Sequence, residues 1–305
     1  MKQPFKLGLL APVAAILGIL ALTGCAPSGD PFGSGGDSSK HIVVGSQTYY
    51  SNEIIAEIYA EALEANDYDV ERKFNIGQRD AYLPALESGE VTLFPEYTGN
   101  LLQYYDKATT VTSSEDVYRS LAAAIPSNLT VLEQSPATDQ DSYTVTRQFA
   151  EANNVRTISD LTKVRPTPIL GGPAEQATLL YGPAWLKHVY GVTVDFMPID
   201  DGGGPLTLKA LKDDTIQVAN IYTADPNIGS KDLVTLEDPK KAFSASNVVP
   251  LINKDRATPQ ISAVINKVSA ALSTGELREL NARSVNDQVS SAKIAADWLA
   301  AEKLF

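Results

Sequence analysis

Between His41 and Phe94 the hydrophobic period alternates between that of a strand and that of a helix, with few residues spent on each link. Residues 41–45 form a β-branched run closed by Gly45, which predicts a strand. Ile54, Ile55, Ile58, Tyr59, Ala62 and Leu63 recur at helical spacing over 51–64, with Ser51 and Asn52 as candidate N-caps. A strand over 68–75, a helix over 81–88 stopped by Gly89, and a strand over 91–94 follow. This order predicts an α/β domain with a largely parallel sheet, because short links force sequential strands to return through covering helices. Ligands of such sheets bind at the carboxyl ends of the strands.

The alternation resumes beyond residue 98. Helices are expected at 100–105 and 114–124, then a strand at 129–134. A second β-α series starts near Tyr143, with strands at 167–170, 193–197, 216–222 and 233–237 and helices at 175–190 and 204–213. A strand from Asn247 and helices at 258–272, 274–284 and 289–302 close the chain. The length of 305 residues suits two domains. Two α/β units and a helical tail therefore predict two lobes with a cleft between them.

The N-terminus reads as a targeting segment. Lys2 and Lys6 precede an apolar run from Leu7 to Leu22 that is too short and too rich in Gly and Pro for a membrane-spanning helix. It ends in Leu22-Thr23-Gly24-Cys25, which resembles a bacterial lipobox and implies residues 1–24 as signal peptide and Cys25 as the lipidated first residue of the mature chain. Cys25 is the only cysteine, which excludes a disulfide framework. Residues 25–40 are rich in Pro, Gly and Ser and read as a flexible leash from the lipid. The protein is expected on the extracytoplasmic face of the cell membrane, tethered rather than spanning.

Composition narrows the function. Lys and Arg number 25 against 37 Asp and Glu, a formal net charge of −12, which argues against a nucleic-acid partner. Two histidines, His41 and His188, leave little for a metal site, and no organic cofactor is implied. No nucleophile elbow or phosphate loop is present. Asp200-Asp-Gly-Gly-Gly204 reads as an anion cradle or, more simply, as a turn before a helix. Glu53, Glu96, Asp141 and Asp225 offer material for an acid–base pair, but no set of nucleophile, base and orienter is visible, so no enzyme is expected.

Tyrosine stands out, with 13 against 8 phenylalanines. Tyr97, Tyr143 and Tyr222 fall at or near expected strand ends or a crossover, where rings face a cleft. Rings that share a cleft box a quaternary ammonium against their negative faces, at about 0.5–1 kcal/mol each when exposed and about 2 when desolvated. The plainer alternative is that they pack with their hydroxyls in water.

Several segments together resemble a known family. They are Val43-Val-Gly-Ser-Gln47, Glu53-Ile-Ile-Ala-Glu57, Leu86-Glu-Ser-Gly-Glu-Val91, Pro95-Glu-Tyr-Thr-Gly99, Asp141-Ser-Tyr143, Tyr190-Gly191, Tyr222-Thr-Ala-Asp225 and Asn247-Val-Val-Pro250. From about Ile42 to Leu299 the chain resembles the ProX/OpuC-type substrate-binding lipoproteins of osmoprotectant ABC transporters, whose ligands are glycine betaine, choline, carnitine and related compounds. The resemblance implies a type II periplasmic-binding-protein fold that closes on its ligand by a hinge. It implies a discontinuous first lobe, 41–142 plus 246–305, a second lobe, 143–245, and crossovers near 142–146 and 242–247. It implies Tyr97 and Tyr143 as cage positions, with Tyr222 a looser match, Gln47 and Thr98 as polar partners for the ligand's other end, and Asp141 near the cage. An ABC permease, its ATPase and a monomeric binding protein complete the implied assembly.

Two positions depart from the family pattern. Leu179 stands where relatives often carry an arginine able to clamp a carboxylate, and Leu208 where they often carry a tyrosine. Both predict a less polar, wider site and favour choline-like or bulkier uncharged ligands. An extracytoplasmic hydrolase and a surface sensor or adhesin on the same fold are the competing readings.

Overall fold

The computed structural model describes residues 40–305 apart from Leu180, Gly229 and Ala242. The signal peptide, Cys25 and the leash lie outside the described residues.

Two five-stranded sheets organise the chain. The first is built from β1 (His41–Gly45), β2 (Asp69–Lys73), β3 (Leu93–Tyr97), β4 (Leu129–Val131) and β10 (Val248–Asn253), in the order β2-β1-β3-β10-β4. The second holds β5 (Tyr143–Thr146), β6 (Ile169–Gly172), β7 (Asp195–Pro198), β8 (Val218–Asn220) and β9 (Leu233–Thr235), in the order β7-β6-β8-β5-β9. β1 runs parallel to β2 and β3, but β10 runs antiparallel to both its neighbours. In the second sheet β5 is the reversed strand. The reversed strands are those by which the chain enters the second sheet and returns to the first. Residues 143–146, expected in a crossover, are thus β5. The connecting segments run together instead through a bridge between Thr138 and Asn247, and the Asp139 N–H donates to the Ser246 carbonyl at 3.0 Å.

Each sheet is covered on both faces, as period-2 alternation in a buried strand requires. Ile42, Val44, Val248 and Ile252 pack with α1 (Tyr50–Glu64), α8 (Pro259–Ala271), α9 (Thr274–Val285) and α10 (Ser291–Glu302). Val43, Val249 and Leu251 turn the other way, onto α2 (Arg79–Ser88), α3 (Thr98–Tyr105) and α4 (Ser114–Ala124). In the second sheet Tyr143, Val145, Leu170 and Val218 share a core with Leu186 and Tyr190 of α6 (Pro183–Tyr190). Ala219 and Leu233 meet Leu208 and Leu211 of α7 (Pro205–Lys212) on the opposite side. A fully buried side chain of this kind stabilises by about 1.5–3 kcal/mol. The last helix of the second lobe to be placed, α5 (Arg147–Asn153), follows β5 directly and is capped by Thr146.

The helix expected over 175–190 is two pieces: a 3-10 helix, Ala174–Thr178, and then α6. The break falls at Gly182-Pro183. A Cβ on Gly182 would stand 2.0 Å from the Gln176 carbonyl, and Pro183 supplies no N–H to carry a helix through. The N-cap of α1 is Tyr49 rather than Ser51 or Asn52. Among the described residues no helix is long and apolar enough to cross a membrane.

Candidate functional site

A cavity of about 210 Å³ opens where the carboxyl ends of the first sheet's strands face the second sheet. The β1–α1 link supplies Gln47, Thr48 and Tyr49. Their course is fixed by Asn52, whose side-chain oxygen accepts from the Gln47 N–H at 2.9 Å while its amide donates to the Pro95 carbonyl at 2.7 Å. The start of α2 brings Gln78 and Arg79, and the end of β3 brings Tyr97. From the opposite side come Pro173 and Glu175 after β6, Asp200, Asp201 and Gly202 after β7, and Tyr222 after β8. Asp139 of the first connecting segment completes the wall with Asn100 of α3.

Tyrosine rings gather here from both sides. Tyr49 and Tyr222 lie 5.1 Å apart between centroids, and Tyr49 and Tyr50 4.7 Å. Gly202 adopts a left-handed φ of +63°, and a Cβ there would reach 2.8 Å from the Tyr49 ring, so only glycine lets the backbone lie against that face. The Tyr49 hydroxyl donates to Asp139 at 3.1 Å and the Tyr50 hydroxyl to Asp225 at 2.8 Å. The Tyr97 hydroxyl is buried and makes no hydrogen bond of ordinary geometry among the described residues. Burial raises the Asp139 carboxyl to about 7, and Asp225 adds to the rise, against the opposing bonds from the Ala224 N–H and Tyr49.

Beneath the rings lies an ion pair. Nε and Nη2 of Arg79 each donate to Glu96 at 2.9 Å, with the carboxylate fully buried. Glu96 also accepts from the Tyr82 hydroxyl and, at 2.7 Å, from the Tyr97 N–H. Burial opposes the guanidinium's charge, but Glu96, Tyr82 and Glu175 outweigh it and hold Arg79 above its ordinary range. Its remaining nitrogen, Nη1, faces Glu175 at 3.6 Å across the cleft.

Of the residues singled out in the sequence, Gln47, Tyr97 and Tyr222 line the cavity; Thr98, Asp141 and Tyr143 do not. Thr98 is buried against the returning segment. Its hydroxyl donates to the Ala245 carbonyl at 3.3 Å and accepts from the Asn247 N–H at 3.0 Å. Gly99 is required beside it, because a Cβ would stand 2.7 Å from the Ala245 oxygen. Asp141 sits behind the wall, accepting from Asn100 at 2.7 Å and Asn220 at 2.8 Å; burial raises it to about 6. Tyr143 opens its strand rather than ending one, is fully buried on edge against Phe243, and donates to the Tyr181 carbonyl. Leu179 and Leu208 are also absent from the wall: each packs into a core of the second lobe. The polarity of the cavity is therefore not set by those two positions.

Sequence reasoning missed Tyr49, Arg79, Asn100, Asp139 and Glu175. Tyr49 had a signal, two residues beyond Gln47 in a strand-to-helix link. Asp200-Asp-Gly-Gly-Gly204 is both a wall and a turn. Asp201 itself accepts from the N–H groups of Leu206 (2.6 Å) and Thr207 (3.2 Å), so the N-terminus of α7 is already taken by this chain's own carboxylate. The acid–base candidates do not pair: Glu96 binds Arg79, Asp225 binds Tyr50 and Asn227, and Glu53 binds Asn75 and Ser291. His188 is exposed on α6.

Two mixed sheets joined by two crossing segments, with an aromatic and acidic cavity between them, define a two-lobed α/β substrate-binding protein. Over residues 40–301 the chain matches the family described as the substrate binding domain of the ABC-type glycine betaine transport system, and it belongs to that family. It is 24% identical over 272 residues to the glycine betaine-binding protein YehZ of Escherichia coli, covering 85% of this chain and 89% of that one. It is 23% identical to the carnitine transport binding protein OpuCC of Listeria monocytogenes, covering 100% of this chain and 99% of that one. Among solved structures, a glycine betaine/carnitine/choline ABC transporter protein superposes with a TM-score of 0.70 at 20% identity, over 86% of this chain and 99% of its own.

Proposed function

We propose that the protein is the extracytoplasmic, lipid-anchored receptor of an ABC importer, which captures a quaternary amine of the glycine betaine and choline type and delivers it to the permease. The observation that carries this reading is the convergence of Tyr49, Tyr97 and Tyr222 with the Asp139 carboxyl on one inter-lobe cavity. A permethylated ammonium has no proton to donate, so aromatic faces and a nearby carboxylate are the groups that hold it. Family membership supports the transport role, and the lipobox at Cys25 supports the anchor.

Calorimetric titration of the globule from Lys40 with glycine betaine, choline, carnitine and proline betaine tests it. Micromolar binding to a quaternary amine is expected. At about 2 kcal/mol per desolvated ring, Tyr97→Ala with Tyr222→Ala costs about 4 kcal/mol, close to a thousandfold in affinity. Undiminished binding by that double variant retires the cage.

A further inference from the structure

We infer that Glu175 is the specificity-determining residue of the cavity: reaching across the cleft to Arg79, it denies the guanidinium to a ligand carboxylate, so that quaternary cations without a carboxylate bind ahead of zwitterions. The inference rests on the reading of the cavity as a quaternary-amine site and names the subclass that it takes.

Arg79 is the only lysine or arginine among the described residues of the wall. Nε and Nη2 are committed to Glu96, and both partners are buried, so neither nitrogen turns to a ligand without breaking that pair. Only Nη1 is left facing the cavity, and the Glu175 carboxylate stands 3.6 Å from it. Glu175 comes from the 3-10 helix Ala174–Thr178, on the opposite side of the cleft from α2, and its side chain is 31% exposed. Among the described residues Arg79 is the one charged partner of that carboxylate.

Asp139, Asp200 and Asp201 stand in the same wall. The cavity therefore presents four acidic side chains, with Glu175, against one guanidinium already paired with Glu96. A fixed cation with a neutral tail meets only attraction. A zwitterion must bring its carboxylate into this field and displace Glu175 to gain a charge-assisted bond. Choline and glycine betaine share the trimethylammonium group and differ only in carrying a hydroxymethyl or a carboxylate, which makes them the matched probes.

The experiment is calorimetric titration of the globule and of its Glu175→Gln and Glu175→Ala variants with choline and with glycine betaine. The parent is expected to bind choline at least tenfold more tightly. In both variants the choline-to-betaine ratio should shrink by about tenfold or more, the range of one charge-assisted contact, mainly through a gain for glycine betaine. Equal or tighter betaine binding by the parent overturns the inference, as does a ratio unmoved in both variants while choline still binds. Binding of neither compound by any of the three overturns the quaternary-amine reading itself.

Discussion

The pair Arg79–Glu96 offers the sharpest test of how the site is held. Glu96→Gln keeps the volume of the side chain and removes only its charge. The carboxylate accepts four donors: Nε and Nη2 of Arg79, each at 2.9 Å, the Tyr97 N–H at 2.7 Å, and the Tyr82 hydroxyl. The variant leaves a guanidinium that is 7% exposed facing an amide, with Glu175 at 3.6 Å as its one remaining counter-charge. Breaking a buried pair from one side costs about 3–5 kcal/mol, since the surviving charge stays desolvated. At about 2–4 °C per kcal/mol for a domain of this size class, the melting temperature should fall by about 6–20 °C. Scanning calorimetry of the ligand-free globule reads the shift. Removing both charges, by Arg79→Met with Glu96→Gln, should restore most of the loss, because no buried charge is left unpaired and the amide oxygen still accepts from the Tyr97 N–H. A Glu96→Gln melting temperature within 2 °C of the parent refutes the reasoning, and a double variant as unstable as the single one refutes the attribution to charge.

Three further outcomes follow from the same geometry. Ionised Asp139 attracts a cation, and its carboxyl titrates near 7, so affinity for choline should rise by roughly tenfold from pH 6 to pH 8 with release of a proton on binding; tighter binding on acidification, or no flattening in Asp139→Asn, contradicts this. Gly202→Ala puts a methyl group at a left-handed φ of +63° and 2.8 Å from the Tyr49 ring, so calorimetry should show an affinity loss of about tenfold; an unchanged Kd disproves the contact. Tyr143→Phe leaves the Tyr181 carbonyl without its donor in a buried core, so it should lower stability by about 1 kcal/mol in urea unfolding and leave ligand affinity alone; weakened binding at full stability returns Tyr143 to the cage.

Local pattern carried much of the architecture. Strand and helix periods, with few residues between them, identified the β-α series of both sheets, because alternation and burial are written into neighbouring residues. Strand direction was not legible: β5 and β10 look like any other strand, and only their partners make them the reversed ones. Tyr97 and Tyr222 were visible as cavity residues because Tyr97 ends β3 and Tyr222 comes just after β8, each at the carboxyl end of a buried strand. Tyr143 was expected at the crossover, where a ring faces a cleft, but it opens β5 and its ring lies in the core against Phe243, a packing that nothing local in the sequence records. Arg79 and Glu175 were hidden for a different reason. Each lies at the start of a short helix, where a charged residue is ordinary, and nothing local records that the two starts face one another across 3.6 Å.

That facing arrangement has an energetic consequence. Tyr49 and Tyr97 belong to the lobe of the first sheet, while Tyr222, Gly202 and Glu175 follow strands of the second. The proposed cage therefore needs the lobes in this relation, and a ligand that contacts both would favour it with its own binding energy. The Tyr50 hydroxyl already spans the joint, to Asp225, and so does the Arg79–Glu175 pair, while the Tyr49 hydroxyl ties the first lobe to Asp139 of the connecting segment. Contacts made by the protein itself lower the cost of closure, but any that survive ligand entry do so only if the ligand does not need their atoms. On the proposed function the hydroxyl bonds meet that condition, since they engage the edges of the rings and not their faces. Arg79–Glu175 meets it for a ligand without a carboxylate and fails it for one with a carboxylate. Closure and selectivity are on this account the same free energy, apportioned by which atoms the protein has already paired across the cleft.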